Sequence, residues 1–81
     1  MFTVYVLYSK TIQKKYTGFT QDLERRIIQH NQGLLGKYTK GKGPWVLIYS
    51  ETFQTKTEAI VREKELKTGK GRDFIKHTTG F

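Results

Sequence analysis

The segment Phe2–Tyr8 constrains the fold more than any other part of this 81-residue chain. It reads FTVYVLY, with β-branched and aromatic residues on both of its alternating faces. That pattern is typical of a central strand that is covered on both sides. The fold must therefore place this strand inside a sheet, with other elements packed on its two faces.

Two more strands and two helices follow, and a short last helix is possible. The expected elements are the hairpin strand Lys14–Phe19, the helix Thr20–Asn31, the strand Trp45–Phe53, the helix Thr55–Lys67 and a short helix over Gly71–Lys76. The order β-β-α-β-α, with a possible final α, predicts a three-stranded, antiparallel-containing sheet with flanking helices, an α/β (α+β) fold. At this length, residues 1–81 are expected to form one domain.

Local signals predict the ends of these elements. Thr20 is the expected N-cap of the first helix, and Gly33 is expected to end it. Thr55 opens a T-x-x-E capping box for the second helix, with Gly69 as the expected C-cap. The tail from residue 77 to residue 81 is expected to be loose.

The charge of the chain indicates a polyanionic partner. Fifteen Lys and Arg residues stand against seven Asp and Glu residues, for a net charge of +8. Nucleic acid is the usual partner of so basic a domain, and a membrane surface is less favoured because no long basic amphipathic helix is visible. A basic protein without a phosphate partner is the remaining alternative. The absence of cysteine excludes disulfides and fits a cytoplasmic setting.

The loop Gly33–Gly43 is rich in glycine and lysine and contains no acidic residue. Its lysines, Lys37, Lys40 and Lys42, and an aromatic neighbour, Tyr38, suit nucleic-acid binding by charge and stacking. A non-catalytic nucleic-acid-binding module is therefore one candidate function.

Glu63 breaks the pattern of the second helix. A helical wheel places it inside the apolar stripe formed by Ala59, Ile60 and Leu66. A carboxylate at such a position is costly unless it is paired or binds a metal. Two interpretations stay open: a metal ligand, or a side chain that reaches the rim or pairs with a basic residue.

Arg26 and His30 lie one turn apart, beside the apolar residues of the first helix. They are either a solvated helix side with a satisfied histidine or part of a site. Tyr5 and Tyr16 lie on hairpin partners and suit aromatic packing or proton chemistry. Gly18, inside a strand, marks a close approach of the backbone or a bulge.

Together, a carboxylate, an arginine, a histidine and two tyrosines in a basic domain suggest phosphodiester chemistry. Their order along the chain resembles the GIY-YIG nuclease superfamily in its small single-domain bacterial form. The form in question is similar to the N-terminal nuclease domain of the excision-repair subunit UvrC and to the catalytic subunit of junction and flap nucleases. The matching pieces are Thr3-Val4-Tyr5, Tyr16-Thr17-Gly18, Arg26 with His30, and the helix around Glu63.

The resemblance implies metal-dependent hydrolysis of DNA phosphodiester bonds, in a DNA-repair setting, with a single Mg²⁺ or Mn²⁺ ion. Glu63 would be the metal ligand, Arg26 would contact the phosphate, and His30 would assist proton transfer or orient the phosphate. Tyr16 would orient or deprotonate the attacking water, with Tyr5 positioning it, and Gly18 would allow close approach to the site or substrate.

Some family members carry a lysine directly after the second motif, where this chain has Phe19. A helping lysine is therefore expected from Lys37, Lys40 or Lys42. RNA as the substrate, a protein partner that supplies specificity, and any oligomeric state stay open at this point.

Overall fold

The computed structural model describes residues 1–34 and 40–81, which form three strands and three helices. Strand β1 spans Phe2–Ser9, β2 spans Lys14–Thr20 and β3 spans Trp45–Phe53. Helix α1 spans Leu23–Asn31, α2 spans Lys56–Leu66 and α3 spans Gly69–Thr79. The order β-β-α-β-α-α confirms the predicted α+β fold and its final helix.

Strand β1 is the centre of the sheet, whose order is β2-β1-β3 with both pairs antiparallel. Its four central residues, Val4 to Leu7, have no exposed surface. This confirms the expectation from the sequence, because a strand that is apolar on both faces must be covered by other elements on both faces.

Helix α1 begins after Asp22 and not after Thr20, so the predicted N-cap was wrong. The Asp22 carboxylate accepts a hydrogen bond from the backbone N–H of Arg25 at 3.1 Å. Thr20 instead ends β2, where its hydroxyl accepts a hydrogen bond from the backbone N–H of Asp22 at 3.1 Å. Two good capping residues lie within three positions, and the one closer to the helix occupies the cap. Gly33 follows the helix with a φ of +73°, as expected for a terminating glycine.

The junction between α2 and α3 also differs from the prediction. Lys67 is the C-cap of α2, and Gly69 is the first residue of α3 rather than a C-cap. Thr68 joins the two helices: its hydroxyl donates to the carbonyl of Glu65 at 2.6 Å and accepts from the N–H of Gly71 at 3.2 Å. The threonine satisfies groups at both helix ends, so a left-handed glycine is not needed.

The C-terminal tail is helical and packed, which contradicts the expected loose tail. Helix α3 continues to Thr79, and Gly80 caps it in the left-handed conformation with a φ of +80°. The ring of Phe81 packs on that of Tyr8, with 4.8 Å between centroids. No helix within residues 1–34 and 40–81 is long and apolar enough to cross a membrane.

The two faces of the sheet carry different side chains. The apolar face, covered by α2 and α3, is built from Val4, Val6, Ala59, Leu66 and Ile75. The aromatic face, covered by α1, is built from Tyr5, Leu7 and Trp45, with Tyr16, Leu23 and Ile27 packed against them. Successive residues of β1 alternate between these two faces.

Candidate active site

A pocket of about 520 Å³ lies between the β1–β2 hairpin and helices α1 and α2. We call it the candidate pocket. Its wall contains most of the residues that the sequence singled out and one lysine that it did not: Tyr5, Tyr16, Gly18, Arg26, Glu63 and Lys56. The six residues come from two strands and two helices, so only the folded chain brings them together.

Gly18 allows the Tyr5 ring to lie across β2. The two residues are cross-strand partners, and the register of β1 with β2 runs past them without a shift. A Cβ atom at position 18 would lie 2.7 Å from the Tyr5 hydroxyl oxygen and 2.9 Å from its Cζ, closer than side chains tolerate. Of the two interpretations of this glycine, close approach is therefore correct, and the group that approaches is the Tyr5 side chain.

His30 is buried against the two tyrosines, with 1% of its surface exposed. Its Nε2 lies 2.9 Å from the Tyr5 hydroxyl oxygen, and the two groups share a hydrogen bond. The His30 ring centroid is 4.8 Å from that of Tyr16 and 5.8 Å from that of Tyr5. His30 therefore belongs to the aromatic face and not to a solvated helix side.

Burial controls the protonation of this pair. It raises the pKa of Tyr5 well above the ordinary phenol value, with a further increase from Tyr16 that Arg26 partly offsets. Burial also lowers the pKa of His30, and the Arg26 cation lowers it further. At neutral pH the Tyr5 hydroxyl keeps its proton and the His30 imidazole is uncharged.

Asn31 anchors the far side of the aromatic cluster, a role that the sequence analysis did not detect. Its side-chain amide donates to the Trp45 carbonyl at 3.2 Å and accepts from the Trp45 N–H at 2.6 Å. Trp45 is 2% exposed, and its ring centroid lies 6.5 Å from that of Tyr16. This pair joins the end of α1 to the start of β3, and nothing in the local sequence signals it.

Arg26 and Glu63 reach the candidate pocket from helices on opposite faces of the sheet. The Glu63 side chain is 18% exposed, and its Oε2 lies 3.3 Å from Nζ of the exposed Lys67. Glu63 thus lines a cavity and also has the basic partner that the sequence offered as an alternative. Exposed pairs of this kind contribute only about 0–1 kcal/mol, so the carboxylate stays available to another cation.

Among the described residues, the lysine in the wall of this pocket is Lys56, which the sequence did not suggest. Lys37 and Tyr38 lie outside the described residues, and the described wall of the pocket includes neither Lys40 nor Lys42. Lys56 occupies the first position of α2, where the positive end of the helix dipole disfavours a cation. This unfavourable placement is the sequence signal that could have identified it.

Glu63 is the carboxylate in the described wall of the candidate pocket. Across residues 1–34 and 40–81, no group of three or more His, Asp or Glu residues could together hold a metal ion. Zinc needs such a set, whereas Mg²⁺ keeps several of its waters and binds through one or two carboxylates together with substrate phosphates. The pocket therefore suits a largely hydrated divalent cation with Glu63 as its protein ligand.

Comparison with known proteins gives a family match over nearly the whole chain. The sequence model of one protein family, the GIY-YIG catalytic domain, matches residues 1–76. Over 53 residues the chain is 55% identical to a UPF0213 protein of Staphylococcus saprophyticus, a match that covers 65% of each chain. Over 64 residues it is 48% identical to a UPF0213 protein of Clostridium perfringens. That match covers 79% of this chain and 68% of the relative.

A solved structure is also similar across nearly the whole chain. The solution NMR structure of a UPF0213 protein from Bacillus halodurans has a TM-score of 0.58 and 36% identity, and covers 99% of this chain and 87% of that one. The chain spans 65% of the length of the first curated relatives that it matches. The match to the family model includes every residue of the candidate pocket, and the chain therefore belongs to the GIY-YIG family of nuclease catalytic domains.

Proposed function

We propose that this chain is an endonuclease that hydrolyses DNA phosphodiester bonds with a single divalent cation, Mg²⁺ or Mn²⁺. The observation that carries the proposal is the wall of the candidate pocket, where an arginine, a carboxylate and two tyrosines from four elements converge. A net charge of +8 supports a nucleic-acid substrate, because phosphates dominate the affinity of such complexes.

Arg26 and Lys56 would bind the phosphate at the cleaved bond. The planar guanidinium of Arg26 can donate two parallel hydrogen bonds to phosphate oxygens, and Lys56 adds a second positive charge to the same pocket. Fixed cations at the position where negative charge develops stabilise the transition state more than the ground state.

Glu63 would hold the divalent cation, with water and substrate oxygens as the other ligands. When bound, such a cation supplies Lewis-acid stabilisation of the charge on a phosphate oxygen. The ion pair between Glu63 and the exposed Lys67 would then open at little cost in free energy.

Tyr16 would orient the attacking water and help to remove its proton, and Tyr5 would position Tyr16. The raised pKa of Tyr5 supports this division, because a hydroxyl that keeps its proton acts as a fixed hydrogen-bonding group. The two tyrosine rings lie 6.4 Å apart between centroids. Buried His30 acts through Tyr5, so in this proposal it is a positioning residue that does not contact the phosphate.

The test compares cleavage of labelled single-stranded, duplex and flap DNA in Mg²⁺, in Mn²⁺ and in EDTA. We expect Glu63→Gln and Arg26→Ala each to reduce metal-dependent cleavage by about 100-fold or more. Matched controls are Glu65→Gln, an exposed carboxylate on the same helix, and Arg25→Ala, the exposed neighbour of Arg26. Both controls should cleave like the unmodified protein, and circular dichroism checks that all variants are folded.

Cleavage that survives Glu63→Gln, or that is lost equally in Glu65→Gln, would contradict the proposal. Binding without cleavage in every variant would favour a non-catalytic nucleic-acid-binding module instead. An RNA strand of the same sequence, run beside the DNA, tests RNA as the substrate.

A further inference from the structure

A second cavity, a groove of about 640 Å³, lies on the apolar face between the β1–β2 hairpin and helices α2 and α3. We call it the basic groove. Its floor consists of apolar side chains that are 0–2% exposed, Val6, Leu66 and Ile75. Its rim carries four basic side chains, Lys14, Lys15, Lys67 and Arg72. The described residues that line it include no acidic side chain.

Aromatic rings lie along the same groove. Tyr8 and Phe81 form a tilted ring pair at its wall, with 4.8 Å between centroids, and Phe81 is 44% exposed. An exposed aromatic ring beside cations is the arrangement that proteins use to hold unpaired nucleotides: the phosphates contact the cations and the bases stack on the rings.

The basic groove adjoins the candidate pocket. Tyr16 lines both cavities. The Glu63–Lys67 ion pair, 3.3 Å between Oε2 and Nζ, joins a carboxylate of the pocket to a lysine of the groove. A strand whose phosphate lies in the candidate pocket is therefore close to the rim of the groove.

We infer that the basic groove binds an unpaired nucleic-acid strand that leads away from the bond cleaved in the candidate pocket, an inference that rests on the proposed function. A duplex offers phosphates to the rim, but its paired bases cannot reach the apolar floor or the Tyr8–Phe81 pair. A second copy of this chain is disfavoured as the occupant, because each copy carries a charge of +8. The substrate class is thus nucleic acid with a single-stranded segment next to the cleaved bond.

The first experiment measures binding of a labelled single-stranded oligonucleotide by fluorescence anisotropy in EDTA, where metal-dependent cleavage is absent. The groove variant is Lys15→Ala with Arg72→Ala, and the matched control is Lys10→Ala with Arg25→Ala, which removes the same charge away from the groove. We expect the groove variant to bind about tenfold more weakly. The slope of log K against log salt concentration should become shallower by about 1.4, which is about 0.7 for each of the two lost phosphate contacts. Equal losses in the groove and control variants would overturn the inference.

The second experiment separates an unpaired strand from a duplex. Phe81→Ala should weaken single-strand binding by about tenfold through lost stacking and leave duplex binding unchanged. An equal effect on both substrates would overturn the inference. Groove-dependent binding by a protein that cleaves no substrate would support the groove and contradict the nuclease proposal, so the two failures are distinguishable.

Discussion

The two faces of β1 are held together by different forces. On the apolar face, Val4 and Val6 pack on aliphatic side chains of α2 and α3, and the contact depends on volume. On the aromatic face, Tyr5 meets buried His30 through a hydrogen bond that depends on the position of individual atoms. Within the described residues, no buried side-chain polar atom lacks a hydrogen-bond partner. The comparison indicates that the apolar face supplies stability and that the aromatic face positions the two tyrosines of the pocket.

The largest expected effect is on the apolar side, from Gly71→Ala. A Cβ at this position would lie 2.1 Å from the carbonyl oxygen of Glu65 and 2.4 Å from the Cα of Leu66. Both are backbone atoms, so α3 must move away from α2. We expect the free energy of unfolding to fall by about 3 kcal/mol in urea titrations.

Gly69→Ala is the matched control for that change. A Cβ at Gly69 would meet nothing within 4 Å, so the same added methyl group should leave stability unchanged or raise it by up to about 1 kcal/mol. Similar losses in the two variants would contradict the close-packing explanation, because helix propensity favours alanine over glycine at both positions and no atom lies near a Cβ at Gly69.

Gly18→Ala makes the same chemical change on the aromatic face. The added Cβ overlaps the buried Tyr5 ring, so both that ring and its bond to His30 must shift. We expect unfolding measurements to show a loss of about 1–2 kcal/mol. Cleavage should fall by about 100-fold, because a displacement of about 1 Å in a site can cost that much. Normal cleavage by this variant would show that activity does not depend on the position of the Tyr5 ring.

Tyr5→Phe removes the hydroxyl from the buried pair without adding volume. The lost hydrogen bond should lower the free energy of unfolding by about 1–2 kcal/mol and slow cleavage by about tenfold. The control is Tyr49→Phe on the opposite face, where the hydroxyl donates to Glu51 Oε2 at 2.6 Å and Arg62 Nε also donates to that oxygen at 2.9 Å. Because Arg62 still holds Glu51, this variant should lose about 1 kcal/mol or less and cleave normally. Equal losses of cleavage in Tyr5→Phe and Tyr49→Phe would contradict the idea that the aromatic face matters more for activity than the apolar face.

The smallest effect is the pH dependence of stability on the aromatic face. The pKa of His30 is lower in the folded chain than its ordinary value of about 6.5, so the unfolded chain binds more protons in acid. Stability from the uncharged His30 is therefore complete above pH ~6.5 and is lost as the pH falls below it, by at most about 1.4 kcal/mol per pH unit. Thermal unfolding between pH 7.5 and 5 should show this loss in the unmodified protein and in His77→Gln, which changes an exposed histidine. A smaller loss is expected in His30→Gln, and identical profiles in all three would contradict this role of His30.

Much of the fold was predictable because it depends on short-range patterns. The three strands, helices α1 and α2 and the central position of β1 follow from the spacing of apolar residues, and the structure confirms them. The errors fall at element ends. Thr20 competes with Asp22 as a cap, and Thr68 makes Gly69 a helix start, so each outcome depends on which local hydrogen bonds form together.

By itself, the sequence determined the elements, the unusual position of Glu63 in its helix and the order of the motif residues, because each depends on neighbours a few positions away. Only the tertiary structure decided that His30 is buried against Tyr5, that Gly18 makes room for that ring, and that Lys56 joins Arg26 in one pocket. Only the fold also shows that the pocket adjoins a basic groove. Each of these features depends on distances between segments that lie far apart in the chain. Those distances are set by the packing of helices on both faces of one strand.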